Sequence, residues 1–223
     1  MAVRFFLQNA AGAFTPTIRG AWNNVTQTAV SAMATTKLGS STSVIQAVGS
    51  LALPWDVLLR RFMSPPMLSG GTLGGTLQWI IGVLQSNLAL DAYFKVHFYV
   101  CVGSTDVVRG TLGTFSFGPS TANGNIVGTE WTATTVGRGE GIQTLTDVTC
   151  LTGDRIVAEL GFRADGAGAT TQQGSSRYGG TGIDLTQGST VLAEAGWFEF
   201  SDADSLFGTA PLTPPGAFFP FFP

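Results

Sequence analysis

From Phe94 to Val102 the chain alternates with a period of two. Phe94, Val96, Phe98, Val100 and Val102 fall on one face, Lys95, His97, Tyr99 and Cys101 on the other, which predicts a strand with one core face and one mixed face. Arg155 to Arg163 repeats the pattern, with Ile156, Ala158, Leu160 and Phe162 opposite Arg155, Val157, Glu159 and Arg163. Gly153-Asp154 supplies the turn that launches it. Val191 to Ser201 sets Phe198 and Phe200 against Trp197 and Glu199. Shorter candidates are Val3–Gln8, Ser43–Val48, Val57–Met63, Thr76–Leu84, Leu112–Phe117 and Ile142–Leu151, for a total of about nine strands.

Between them stand clusters such as Ser69-Gly70-Gly71, Gly118-Pro119-Ser120 and Ala122-Asn123-Gly124-Asn125, residue types that provide the backbone angles of turns. Helical periodicity is scarce. Ala29–Ala34 suits one helical turn, and Trp55–Phe62, flanked by Pro54 and Pro65, has room for two at most. Many short strands without intervening helices predict an all-β fold, an antiparallel β-sandwich of jelly-roll type, as one domain over residues 1–208. Ala10 to Ser40 lacks alternation and reads as an extended arm or long connection, with Trp22 placed to pin it. Residues 209–223, TAPLTPPGAFFPFFP, form a Pro/Phe-rich tail whose prolines oppose regular structure. Phe218, Phe219, Phe221 and Phe222 either belong to a disordered or self-packed tail or dock on a neighbouring subunit.

Composition sharpens this picture. Hydrophobic residues are 44% of the 223 and charged residues only 11%, against about 25% in ordinary soluble domains. So little charge predicts a surface partly covered by neighbours, and therefore a homo-oligomer or larger assembly. A net charge of -3 provides no basic field for phosphates, so nucleic acid is not an expected partner. No apolar run reaches the ~20 residues of a membrane span or resembles a secretory signal, which predicts a protein made in a cytoplasm without membrane insertion. Cys101 and Cys150 lie in apolar runs without metal-ligand spacing and read as buried free thiols.

Candidate chemistry is sparse. His97 is the single histidine, no GxSxG motif accompanies it, and it reads as structural. Glu130, Glu140, Glu159, Glu194, Glu199, Asp147 and Asp154 include no pair whose separation the sequence defines, as glycoside hydrolysis requires. Asp202 and Asp204 fall short of a calcium loop. Gly137–Gly141 and Gly179–Gly182 read as loops, since neither opens a helix to hold a phosphate. No cofactor or metal is expected. Trp131, Tyr178 and Trp197 are candidates for stacking on sugar rings.

Five segments carry a resemblance: Arg4-Phe5-Phe6-Leu7, Phe14-Thr15-Pro16-Thr17-Ile18-Arg19-Gly20-Ala21-Trp22, Trp55-Asp56-Val57-Leu58-Leu59, Gly153-Asp154-Arg155-Ile156-Val157 and Gly196-Trp197-Phe198-Glu199-Phe200-Ser201. Together they resemble a group of uncharacterised structural proteins of tailed bacteriophages, over residues 4 to about 207. The resemblance implies a non-enzymatic virion component, a capsid decoration or cement, or a part of the neck, tail or baseplate. Its partners would be other virion proteins. The alternative is an adhesin module that binds a host receptor or surface glycan through Trp131, Tyr178 or Trp197.

Overall fold

The computed structural model of the protein describes residues 1–40, 42–48, 53–116, 131, 137–166, 172–180 and 195–208. The fold is all-β, as the alternation predicts. Its strands are β1 (Val3–Ala11), β2 (Val30–Ala34), β3 (Thr42–Ala47), β4 (Trp55–Met63), β5 (Gly71–Leu73), β6 (Thr76–Gln85) and β7 (Ala92–Cys101). There follow β8 (Val108–Ser116), β9 (Gly137–Thr144), β10 (Val148–Cys150), β11 (Arg155–Ala164), β12 (Gln173–Tyr178), β13 (Trp197–Phe200) and one helical turn, α1 (Asp204–Phe207).

Eleven strands share one sheet in the order β3-β12-β6-β13-β1-β2-β4-β11-β7-β8, with β9 paired to β6 off that path; β5 and β10 form a separate ladder. The expectation of an antiparallel jelly-roll sandwich is met at the level of an all-β fold. In detail, β2 runs parallel to β4 and links the two halves into one mixed sheet. That sheet curls over on itself, because rings far apart along the path meet. Phe98 of β7 lies edge-on to Phe198 of β13 at 5.0 Å, Phe94 of β7 to Trp79 of β6 at 6.3 Å, and Phe62 of β4 to Tyr178 of β12 at 5.1 Å. The resulting core draws on residues from Val3 to Phe207, and each fully buried phenylalanine contributes roughly 1.5–3 kcal/mol.

Several elements depart from the pattern reading. Ala29–Ala34 contributes no helical turn: its Val30–Ala34 portion is β2, held between β1 and β4. Ile142–Leu151 is not one strand but the end of β9 and then β10. Gly137–Gly141 belongs to β9 rather than a loop; a Cβ on Gly141 would lie 2.2 Å from the Trp79 ring, so glycine lets this backbone lie against the indole. The polar stretch Gln173–Tyr178 is β12, which joins β3 to β6. Gly153, at φ +90°, does make the turn before β11, where glycine carries no steric penalty.

The chain between β1 and β2, residues 12–29, contains no strand but runs as a strap against the outer face of β4, β11 and β7. Its backbone is bonded by side chains of all three strands. This explains why β7 is buried at every position. The alternation separates its two faces correctly, yet the mixed face is covered too.

Candidate functional site

The principal group of buried ionisable side chains lies beneath the strap. Arg61 of β4 stands opposite Glu159 of β11, which stands opposite His97 of β7, which stands opposite Thr114 of β8. The core face fixes this row: slipping one strand by a residue would turn its apolar positions outward. Lys95 and Tyr99 flank His97 on the same face of β7.

Glu159 is fully buried. Its Oε1 accepts from the backbone N–H of Arg19 at 2.7 Å, and its Oε2 accepts from the N–H of Gly20 at 2.8 Å and the indole Nε1–H of Trp22 at 2.7 Å. Arg61, also buried, donates to the carbonyls of Pro16 and Thr28. Lys95 donates to the Ala21 carbonyl and, at 2.7 Å, to Asp56. The Tyr99 hydroxyl donates to the Thr17 carbonyl at 3.0 Å. Beside the row, Asp106 accepts from the N–H of Thr17 at 2.6 Å and from its hydroxyl, and pairs with the Arg19 guanidinium at 3.2 Å. Bonds to ionised groups are worth about 1.5–3 kcal/mol each. Here they meet strap groups that the sheet ladder leaves unpaired.

Trp22 completes the clasp. The Lys95 ammonium lies 5.0 Å from its ring centre, and its edge rests on Gly161, where a Cβ would come within 2.5 Å of the ring and 2.0 Å of the Val57 carbonyl. Phe14 packs against Val30, Met63, Tyr99, Cys101 and Val157, a small apolar cluster beside the row.

Burial lowers the pKa of His97, the Glu159 carboxylate pulls it back in part, and the Lys95 charge adds a smaller downward push. The imidazole is therefore held neutral. Its Nδ1 lies 2.5 Å from Thr114 Oγ1, while Nε2 is buried with no hydrogen-bond partner among the described residues. Burial, then the Glu159 carboxylate, raises the pKa of Tyr99, and burial lowers that of Arg61. The arrangement grips an extended backbone, with three strap donors on the Glu159 carboxylate.

The carboxylates singled out by sequence lie in separate contacts. Glu199 pairs with Arg4 at 2.8 Å. Asp154 accepts from Arg109 Nε at 2.8 Å, Arg109 Nη2 at 3.1 Å and Leu151 N–H at 2.8 Å. Asp204 binds the Met1 ammonium at 2.8 Å, and Asp202 accepts from the Ser201 hydroxyl at 3.0 Å. Glu130, Glu194 and the Glu140 side chain lie outside the described residues. Cys101 and Cys150 are buried free thiols, their pKa values pushed up by burial to about 11.

The three rings proposed for sugar stacking are all buried. Trp131 is 2% exposed, with Phe94 and Phe162 at 5.2 and 5.4 Å, and Tyr178 is 3% exposed against Phe62. Trp197, 3% exposed, lies beneath the Arg4 guanidinium, 3.8 Å from its ring centre. A sugar needs an open ring face, and these faces pack on protein. Phe218, Phe219, Phe221 and Phe222 lie outside the described residues. Sequence reading missed Arg61 and Lys95 as a pair of clamps and left Glu159 as an unpaired carboxylate; the signal available was that Lys95 and Glu159 stand on strands whose opposite faces are apolar throughout.

No family model and no curated protein matches this chain. Among solved structures it is similar to two crystal structures of a CocE/NonD family hydrolase from Staphylococcus aureus. One shares 9% identity at a TM-score of 0.43, over 90% of this chain and 36% of that one; the other shares 10% at 0.28, over 89% and 34%. The chain thus spans about a third of that protein's length.

Proposed function

We propose that this chain is a non-enzymatic structural component of a tailed-bacteriophage particle, a capsid decoration or cement or a part of the neck, tail or baseplate. It binds neighbouring subunits of the virion, where it resides after synthesis in the host cytoplasm. The observation that carries the non-catalytic part is the strap. Glu159, Arg61, Lys95 and Tyr99, which elsewhere would be candidates for acid–base work, hold the chain's own backbone. A general base must reach a substrate proton, and these groups reach the strap.

The assembly part is supported by the surface. Only 11% of the residues are charged, and Ile45, Leu68, Leu88, Val107 and Leu151 are each more than half exposed. Large apolar side chains on a weakly charged chain suit contacts between subunits. The virion placement rests on the sequence resemblance. Nothing observed favours the glycan-binding alternative, because its rings are covered.

Mass spectrometry of purified particles of the encoding phage, followed by cryo-electron microscopy, tests the reading. The expected result is the chain at fixed stoichiometry with density traced to a lattice or tail position. Particles lacking the chain, or turnover of a host polymer by the purified protein that Glu159→Gln abolishes, would overturn it.

A further inference from the structure

The strap crosses the outer face of β7 in a fixed register. The Tyr99 hydroxyl donates to the Thr17 carbonyl and the Lys95 ammonium to the Ala21 carbonyl. His97 stands between Tyr99 and Lys95 on the same face, so the strap passes over it at the level of Arg19. There the N–H groups of Arg19 and Gly20 reach Glu159, the residue opposite His97 on β11. A Cβ on Gly20 would lie 2.7 Å from Glu159 Oε2, so glycine lets the strap come this close. Tyr99 flanks the imidazole, ring centres 5.5 Å apart. Lifting the strap is therefore the route by which water reaches His97. Among the described residues, the strap's backbone–backbone hydrogen bonds fall at its ends, from Gly12 to Val30 and from Asn23 and Asn24 to Asp56. Residues 13–22 are held by side chains, whereas β7 is laddered to β11 along its full length. Segments with so few backbone bonds open at lower free energy than laddered strands.

We infer that residues 13–22 form an acid-released latch: protonation of His97 lifts this segment off β7 and β11 while the sheet stays folded. The inference goes beyond the assembly reading and does not depend on it. Imidazolium carries N–H on both ring nitrogens. Nδ1 has Thr114 Oγ1 beside it, but Nε2 is buried without a partner among the described residues. Its protonated form needs an acceptor, and the carboxylate facing it, Glu159, already accepts from Arg19, Gly20 and Trp22. The new donor is satisfied either by water, which enters when the strap lifts, or by Glu159, which then lets the strap go. The surrounding charges are already balanced. On β7, Lys95 pairs with Asp56 of β4. Arg61 of β4 stands opposite Glu159 of β11, and Arg19 of the strap pairs with Asp106. Farther along, Arg109 of β8 is held by Asp154 and Arg163 of β11 by Asp165, while Arg155 donates to the Ser64 carbonyl. Tyr99 and Cys101 of β7 stay neutral, since burial raises both pKa values. A proton on His97 therefore leaves the covered row with one positive charge in excess, a charge that costs less once solvated. The lowered pKa of the covered imidazole agrees in direction: the closed strap is fully stabilised above the ordinary histidine value and loses that stability as pH falls below it.

Amide hydrogen exchange of the full chain tests this between about pH 7.5 and 5.5, around the ordinary histidine pKa of about 6.5. The Arg19 and Gly20 amides report the strap, and those of β7 and β11 report the sheet. His97→Gln, which cannot take the proton, is measured beside the wild type at each pH, so the intrinsic pH dependence of exchange cancels in their ratio. For the strap amides that ratio is expected to rise about three- to tenfold across the range, because one linked proton changes an opening constant by up to about tenfold per pH unit. The strap is also expected to open at least about a hundredfold more often than the sheet at every pH. A second measurement needs no histidine variant. The chain has a single histidine, so its imidazole resonances follow one titration, and Trp22→Ala, which loosens the latch, is expected to move that titration upward by reciprocal linkage. Circular dichroism verifies the fold of each variant; should His97→Gln fail to fold, the titration decides. A strap ratio that stays flat with pH overturns the inference. Strap and sheet amides with equal opening constants overturn it too, since opening would then be global unfolding, as does a His97 titration unchanged by Trp22→Ala.

Discussion

Glu159 and Trp22, 137 positions apart, are joined by a 2.7 Å hydrogen bond from the indole Nε1–H to Oε2. With the N–H groups of Arg19 and Gly20 on the same carboxylate, this contact ties residues 12–29 to the sheet. Glu159→Ala removes all three acceptor contacts and leaves Arg61 without its facing charge, so it is expected to cost about 3–5 kcal/mol. Glu159→Gln keeps the shape and costs about 1–3 kcal/mol. Urea unfolding followed by tryptophan fluorescence measures both.

Trp22→Ala is expected to loosen the strap while leaving the core intact. Cleavage by trypsin after Arg19, whose side chain is 37% exposed, should accelerate about tenfold as local opening becomes easier. Gly161→Ala should do the same from the opposite side, because its Cβ would press on the Trp22 ring and the Val57 carbonyl. Mass spectrometry of timed digests reads the site and rate.

His97 makes stability depend on acid. Its folded pKa lies below the ordinary value because burial outweighs the upward pull of the Glu159 carboxylate, with a smaller downward push from Lys95. Below about pH 6.5 the unfolded chain therefore binds the proton first. Its contribution to stability is complete above that pH and falls as acid is added, by up to about 1.4 kcal/mol per pH unit, until the folded value is reached. His97→Gln is expected to flatten this part of the profile, measured as unfolding free energy between pH 7.5 and 5.

Asp154 acts in a lower window. Burial pushes its pKa up, but the hydrogen bonds and charge of Arg109, with the N–H groups of Leu151 and Gly103, outweigh burial and hold it below the usual carboxylate range. Its contribution is present above about pH 3.9 and is lost as pH falls through the folded value. Asp154→Asn should cost about 2–3 kcal/mol at pH 7 and little at pH 2, a convergence that denaturant titration at the two pH values would reveal.

Alternation along the chain was enough for the fold class and most of the strands. In β7 and β11 the alternation depends only on which residues sit two positions apart, a local property that any strand with a buried face must show. Scarce charge and the lack of a nucleophile motif were legible in the same way. Tertiary structure decided what covers each face. Glu159, Lys95 and Tyr99 read only as parts of mixed faces because the strap groups they hold, the backbone of Thr17 to Ala21 and the indole of Trp22, lie 74 to 140 positions away. β9 and β12 were hidden because glycine and serine carry little alternation. Their glycines serve close approach to the Trp79 and Phe162 rings, and that need exists only once the sheet has curled. For the same reason Trp131, Tyr178 and Trp197 looked available for sugars: an aromatic residue type does not say which of its faces is covered, and long-range packing covers all three.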